Sequence, residues 1–592
     1  METKTHSKNS VRACQNCKKD FIIEREDFDF YQKMKVPPPT FCPRCRYERR
    51  IIFRTVRQLF RGKEAINGKE IFMGISPEAG IPVYVLSYWN SDAWDAMGYG
   101  RDYDFSRPFF EQIRELFYAV PFPAKSMQRC INSEYSNACD DMKNAYLCFN
   151  ATFMEECAYC VNGSALKRCF DMTSCYNDEL CYENVRVDKS YHTFGSIMSE
   201  SCINVWFSKN CIGCNNCFGC VNQRHASYKI FNVQYTKEEY FKKLESFKLD
   251  TWEGFSNARE KAEDFWLKFP IKYMLGYRNH DVLGEDIKDS KNVKNCYIVK
   301  RGENLKYVQD VSFGGASNSY DYTCWGVDAS QIYECMIVGE QVDQMKFCFD
   351  TWPVSQECEY CLNCRRVNNC FACVGLKDKQ YCIFNKQYTK EEYIVLVSKI
   401  KEHMNQMPFV DKRGNIYRYG EFFPVEFSVF AYNETLINDQ FPSNKEDAEK
   451  RGFMWRESNR KIYDTTIKAE DLPNAISDIN ENILKEIIAC LHCKKAYRII
   501  LDELNFLKSS GLPLPRYCID CRFAKRQKFM VPPVLRSTGC MCAGENSSNM
   551  VYKNTEKHDS HGDAKCTNTF QTAYDIEKEI IYCEKCYQSE VY

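Results

Sequence analysis

One cysteine spacing constrains this chain more than any other feature, because it occurs twice. Cys14 and Cys17 are followed after 24 residues by Cys42 and Cys45, and Cys490 and Cys493 are followed after the same 24 by Cys518 and Cys521. Aligned without a gap, the copies also pair Lys18-Lys19 with Lys494-Lys495 and Phe30 with Phe506. Pro37 and Pro39 meet Pro513 and Pro515, and Arg46, Arg50 and Phe53 meet Arg522, Arg526 and Phe529. Two CxxC pairs bring four thiolates to one tetrahedral ion at about 2.3 Å, and a closed set of four leaves no position for water. The spacing therefore predicts a structural zinc ion at each end, worth on the order of 10–16 kcal/mol to folding. In both copies the second pair runs into an Arg/Lys-rich stretch, which predicts a helix starting at that second knuckle.

A knuckle, a β-hairpin and a helix carrying the last two ligands make a treble clef. The stretch CKKDFIIEREDFDFYQKMKVPPPTFCPRCRYERR resembles small treble-clef zinc-binding domains, with its FY before the Pro-containing turn and its CxxCR ending. The C-terminal copy, with Leu504, Asn505 and Phe506, departs slightly from that pattern.

The totals narrow the function classes. The chain has 592 residues and 36 cysteines, a polar start (METKTHSKNS) and no apolar run approaching the ~18 residues of a membrane helix. These features predict a cytoplasmic protein whose thiols stay reduced, where clustered cysteines favour metal over disulfides. Lys+Arg and Asp+Glu balance at 80 each, which argues against a wholesale polyanion binder. A local exception runs from Arg44 to Lys63, with eight basic residues against Glu48 alone. Arg46, Arg49, Arg50, Arg54 and Arg57, with Arg522, Lys525 and Arg526 in the second copy, are the candidate nucleic-acid contacts. The alternative for them is a solvated helix face.

The middle of the chain changes character. Cysteines recur at steps of nine (Cys130, Cys139, Cys148, Cys157; Cys202, Cys211, Cys220) among short aromatic-Cys strands separated by Asn, Asp, Ser and Gly. Short strands at regular spacing predict a solenoid, here a parallel β-helix with rungs of roughly 20–26 residues. Inward cysteines would stack as an inert ladder, since cysteine is small, apolar and commonly buried. The rival is a zinc or iron–sulfur cluster within CIGCNNCFGC, Cys211 to Cys220. The segment CFGCVNQRHASYKIFNVQYTKEEY (217–240) returns as CFACVGLKDKQYCIFNKQYTKEEY (370–393). Thr236 with Glu239 and Thr389 with Glu392 read as capping boxes that start helices. Two solenoid blocks follow, about 126–235 and 290–385, with helical residues 236–289 between them and helices covering their open ends.

The predicted fold class is thus mainly β with α, a cysteine-rich parallel β-solenoid in two blocks flanked by treble-clef zinc modules. Residues 11–60 are the first treble clef. Residues 61–125 are a metal-free, degenerate zinc ribbon held by Tyr84, Trp89 and Trp94, plus a docking helix with Ser106 as N-cap. Residues 126–289 and 290–400 are the solenoid blocks with their helices, and 401–475 a linking region with a cap at Ser443 and Glu446. Residues 476–535 are the second treble clef. Residues 536–592 are a zinc-ribbon-like module whose third zinc falls to Cys540, Cys542, Cys583 and Cys586, with Cys566, His558 or His561 as possible substitutes. No phosphate loop, HExxH or nucleophile elbow is present, and no small-molecule substrate is evident.

The whole layout also resembles a group of uncharacterised bacterial cysteine-rich zinc-binding proteins, which carry treble-clef or zinc-ribbon modules at both ends of repeats containing NCFGCVN…FN…YTKEEY. Some of these bear a CaiB/BaiF-type CoA-transferase name, whereas this sequence offers no CoA-binding signature or Asp nucleophile of its own. The resemblance implies a layout. The expected function is a non-enzymatic zinc protein that presents a solenoid surface to a protein or nucleic-acid partner. The alternatives are RNA binding through the basic helices and a thiol or metal enzyme built on the C-terminal module.

Overall fold

The computed structural model describes residues 9–311, 314–457 and 463–592. It is a mixed β/α chain with a parallel β-solenoid of about 21 turns between residues 127 and 383 and cysteine clusters at both termini. The chain forms two compact units, Met1–Lys125 with Met274–Glu457, and Ser126–Tyr273 with Ser458–Tyr592. Each unit combines a terminal cysteine module with a solenoid block that is remote from it in sequence.

The solenoid turn is half as long as the sequence suggests. In the second unit Tyr146 pairs with Ala158, Ala158 with Phe170, Phe170 with Tyr182 and Tyr182 with Phe194, a step of twelve residues each time. Within one turn, bridges recur every third residue, at Tyr146, Phe149, Thr152 and Glu155. Each turn therefore has four sides of three residues. In each triplet one residue bridges to the neighbouring turns, the next bends the chain, and the third points inward. The bending residue has positive φ, and this holds for every third residue from Ala138 to Phe231. A non-glycine residue there costs on the order of 1 kcal/mol or more, so continuous ladder bonding must offset a recurring strain. Asn tolerates this region best, and its amides stack from turn to turn. Asn150 donates to Asn162 at 2.7 Å and Asn210 to Asn222 at 2.7 Å.

The inward residues face a lumen too narrow for a conventional core. One turn contributes Cys148, Ala151, Met154 and Cys157, all buried. At Gly163 an added Cβ would meet Met154 Cε at 2.9 Å and the Cys175 carbonyl at 3.2 Å. Small side chains with a donor suit this space, because backbone carbonyls line it. Cys139 Sγ donates to the carbonyls of Asn137 and Cys148, and Ser196 Oγ does the same to Phe194 and Val205. The nine-residue step in the sequence is thus three sides of a twelve-residue turn. Inward N–H groups find acceptors one turn back, as Cys148 N does at Ser136 Oγ and Cys211 N at Ser199 Oγ.

In the first unit the turns are less uniform. Glu303 pairs with Ser317, fourteen residues on, and Ala316 with Ala329, thirteen on. Extra residues enter as consecutive positive-φ pairs, Cys324-Trp325 and Glu340-Gln341, which is why the cysteine period fades there. The block begins at the strand Gly276–Tyr277, earlier than the expected 290.

Both blocks end in the same device. Phe231-Asn232 and Phe384-Asn385 both have positive φ, which reverses the chain in a tight hairpin. Asn232 accepts from Val221 N–H and donates to its carbonyl, and Asn385 does the same at Val374. The FN pair so satisfies the last open backbone groups, and the capping boxes at Thr236/Glu239 and Thr389/Glu392 start helices Lys237–Glu245 and Lys390–Gln406.

Smaller expectations shift by a residue or two. The helix Phe109–Ala119 starts after Pro108, while Ser106 bonds Asp104 instead of capping. Asn444, not Ser443, caps Lys445–Lys450. Tyr84 and Trp89 both pack on Trp94, at 5.4 and 5.9 Å between ring centroids.

Candidate metal centres and the arginines that seat them

Both terminal modules build the same cage. In the first, the hairpin Ser10–Ala13 and Asp20–Ile23 opens the knuckle, and helix Pro43–Ile51 starts at Cys42. Lys18, with φ 63°, lets the knuckle N–H groups turn inward, and Lys494, with φ 59°, does so in the second copy. Cys14, Cys17, Cys42 and Cys45 come together with all ligand atoms within 4.8 Å, as do Cys490, Cys493, Cys518 and Cys521. Cys17 Sγ lies 3.7 Å from Cys42 Sγ, and Cys493 Sγ 3.5 Å from Cys518 Sγ, near the ~3.8 Å edge of a tetrahedron with 2.3 Å metal–sulfur bonds. The Cys42 N–H donates to Cys14 Sγ and the Cys518 N–H to Cys490 Sγ, both at 3.2 Å. Such bonds stabilise thiolate. Burial pushes the Cys490 thiol up, but the N–H groups of Cys518, Cys493 and His492 outweigh it and bring it down to about 7.

The C-terminal module differs from the expected set. Cys540, Cys583 and Cys586 gather with Cys566. Cys542 stands outside this group. The Cys566 N–H bonds the Cys542 carbonyl at 3.0 Å, which brings the Cys566 thiol to 3.9 Å from Cys583 Sγ. The Cys583 N–H donates to Cys540 Sγ at 3.2 Å, repeating the bond of the other two sites. Cys542 instead joins His558, His561 and Cys586 in a second group. Spacing offers Cys566 only as a substitute ligand, since an isolated cysteine carries no knuckle signature.

The turn at Glu64–Lys69 has the backbone bonding of the terminal knuckles without their cysteines. Glu64 N–H bonds the Lys69 carbonyl at 3.0 Å, as Cys14 N–H bonds that of Lys19 at 2.9 Å. Tyr88 lies on the short helix Leu86–Trp89, which starts after Val85 just as Glu584–Val591 starts after Cys583.

The candidate nucleic-acid contacts lie elsewhere than expected. Arg46, Arg49, Arg50, Arg522 and Arg526 are among the most buried large side chains of the protein, each 0–1 % exposed. Arg46 and Arg50 bind Asp321, at 2.8 and 3.2 Å, and Arg49 binds Glu334 and Glu421, at 2.6 and 3.0 Å. In the other unit Arg522 and Arg526 share Asp171, at 2.6 and 2.7 Å, and Arg522 also binds Glu503. Arg54 is buried beside Cys324, and Arg57 pairs with Asp439 at 3.0 Å. Lys525 is half-buried over the Tyr517 ring at 3.4 Å. The five fully buried arginines therefore serve docking: Arg46, Arg49 and Arg50 face Asp321 and Glu334, and Arg522 and Arg526 face Asp171, all on the solenoid. Burial pushes Glu334 and Glu503 up, against the pull of Arg49 and Arg522 respectively. Removing one partner of such a buried pair costs about 3–5 kcal/mol.

The 23 cysteines between Cys130 and Cys382 are free, and all but Cys130 are buried. The four of CIGCNNCFGC all point inward, one per side of a single turn, and Cys214 meets Cys202, Cys211 and Cys217. Burial pushes thiols such as Cys148, Cys160 and Cys169 well above the usual range. Among the described residues, the groups whose ligand atoms converge as a metal site are the four at the termini. No described helix is long and apolar enough to cross a membrane. Comparison with protein-family models and with curated proteins gives no match.

Proposed function

We propose that the protein is a zinc-dependent structural scaffold of the reducing cytoplasm. Treble-clef modules at the ends and a zinc-ribbon-type C-terminal module hold the ions. The zinc-folded helices seat on the solenoid blocks, and the solenoid offers its outer surface to a macromolecular partner. The observation that carries this reading is the pairing of a closed four-cysteine cage with buried arginines on one helix. The same helix that supplies Cys45 supplies Arg46, Arg49 and Arg50 to the solenoid carboxylates, so the metal organises a docking element. A four-cysteine shell has no open position for substrate, and the solenoid thiols other than Cys130 are buried, which favours a surface role over thiol chemistry. The layout fits that of the bacterial cysteine-rich zinc-binding proteins it resembles.

Elemental mass spectrometry of the purified full chain, with thiol titration before and after denaturation, tests this. At least three zinc ions per chain, no iron, and solenoid thiols that, Cys130 apart, react only on unfolding are expected. Iron, a folded chain with fewer than three zinc ions, or rapid reaction of the buried solenoid thiols overturns it.

A further inference from the structure

The C-terminal module contains more ligand atoms than one ion can use. Seven side chains converge there, and Cys586 belongs to both groups. In the second group Cys542 Sγ lies 3.3 Å from His558 Nδ1, His558 Nδ1 3.3 Å from His561 Nε2, and His561 Nε2 3.2 Å from Cys586 Sγ. A tetrahedral ion with Zn–N of ~2.0 Å and Zn–S of ~2.3 Å sets N···N and N···S edges of about 3.3–3.5 Å.

The far sides of the rings decide what the near sides offer. His558 Nε2 lies 2.8 Å from Glu590 Oε1, with both side chains buried, and His561 Nδ1 lies 3.2 Å from the Gly562 carbonyl. An N–H directed at each acceptor is the tautomer that leaves a lone pair on His558 Nδ1 and on His561 Nε2. In that tautomer two lone pairs face each other across 3.3 Å with a sulfur on either flank, the donor set that a cation between them would use. A carboxylate behind a histidine is the usual support for a metal-bound imidazole. Glu590 is itself held by Tyr552 Oη and the Thr555 N–H and hydroxyl, and Asn554 Nδ2 donates to Cys542 Sγ at 3.2 Å.

We propose that this module holds two divalent ions joined by the Cys586 thiolate. One ion sits on Cys540, Cys566, Cys583 and Cys586, the other on Cys542, His558, His561 and Cys586. The identity of both as zinc rests on the scaffold reading above. Charge also favours the pair. Five thiolates around two divalent ions leave a net charge of about −1, whereas one four-thiolate ion alone carries about −2 in a buried site.

The test is metal stoichiometry of the full chain, followed by cobalt(II) substitution. Four zinc ions per chain are expected, and three in the His558→Ala/His561→Ala double variant. In the cobalt form, coupling through the shared sulfur makes the integrated spin signal fall short of the cobalt content, and the double variant removes that deficit. Three zinc ions in the native chain, unchanged in the variant, overturn the bridged centre and leave the scaffold reading standing. Four ions with a full complement of uncoupled spins also overturn the bridge. Fewer than three zinc ions overturn both.

Discussion

In one unit Asp321 accepts Arg46 and Arg50, and Thr323 lies 3.4 Å from Arg50 Nε; in the other Asp171 accepts Arg522 and Arg526, and Thr173 lies 3.0 Å from Arg526 Nε. Phe30 stacks on Tyr320 at 3.8 Å, and Phe506 packs on Phe170 at 4.7 Å, in corresponding places. The two units thus seat their cysteine modules with the same Phe, the same pair of arginines and the same Asp-x-Thr on a solenoid side. They part at the third basic position of the helix and at one acid, Glu503 binding Arg522 where its counterpart Asp27 binds Lys306. Arg49 reaches Glu334 and Glu421, while its counterpart Lys525 stays half-buried over Tyr517. The first unit therefore spreads three arginines over three carboxylates, and the second leaves Arg526 with Asp171 as its carboxylate. The lesson is that a repeated docking device can keep its geometry while its redundancy changes.

Three perturbations would break or sharpen that comparison, from the largest effect downward. Cys42→Ala and Cys518→Ala should each remove one zinc ion and unfold the corresponding module, a loss on the scale of several of the ~10–16 kcal/mol such a site supplies. By contrast, Cys148→Ser in the solenoid should keep full zinc content and cost under about 1.5 kcal/mol, since a hydroxyl serves the same carbonyls. Zinc content and limited proteolysis read both, and equal losses for ligand and solenoid cysteines would erase the distinction between them.

Asp171→Ala should then destabilise its unit by about 3–5 kcal/mol, because two buried arginines lose their shared carboxylate. Asp321→Ala should cost less, since Glu334 lies 3.6 and 3.7 Å from Arg46 and Arg50. Denaturant unfolding followed by hydrogen exchange in each unit measures the difference, and a larger effect at Asp321 would show that the extra carboxylates do not share the load.

The smallest effect is a pH dependence. Each solenoid block buries a glutamate against a cation from a helix: Glu183 against Arg259, and Glu359 against Lys401 at 2.7 Å and Lys346 at 2.7 Å. Burial alone would raise Glu359, but Lys346 and Lys401 outweigh it and hold the carboxyl down at about 2, from an ordinary 4.5. A depressed carboxylate contributes stability above its unfolded pKa and loses it as pH falls through the folded one. The first unit should therefore lose up to about 3 kcal/mol between pH 4.5 and pH 2, and Glu359→Gln should flatten that slope. An unchanged acid profile in the variant would place the acid sensitivity elsewhere.

The sequence by itself determined the parts that depend on local spacing. Two CxxC pairs 24 residues apart are close to sufficient for a cage, because each knuckle forms within a few residues and the ion selects the rest. The capping boxes at Thr236 and Thr389 were legible for the same reason, and so was a repeating β architecture. The rung length was not, because a step of nine is compatible with several turns, and only the ladder shows that four three-residue sides close it. Tertiary structure alone decided three further things. It brought the single Cys566 into the cage in place of Cys542, through a backbone bond that no spacing announces. It gave the Asn of each FN pair the work of closing a solenoid end. And it turned the middle of the basic run inward: the eight basic residues from Arg44 to Lys63 look like one surface for phosphate until Asp321, Glu334 and Glu421, hundreds of residues away, are placed against Arg46, Arg49 and Arg50. A charge run states what a helix carries, while the partner that neutralises it depends on which distant segments the fold brings beside it.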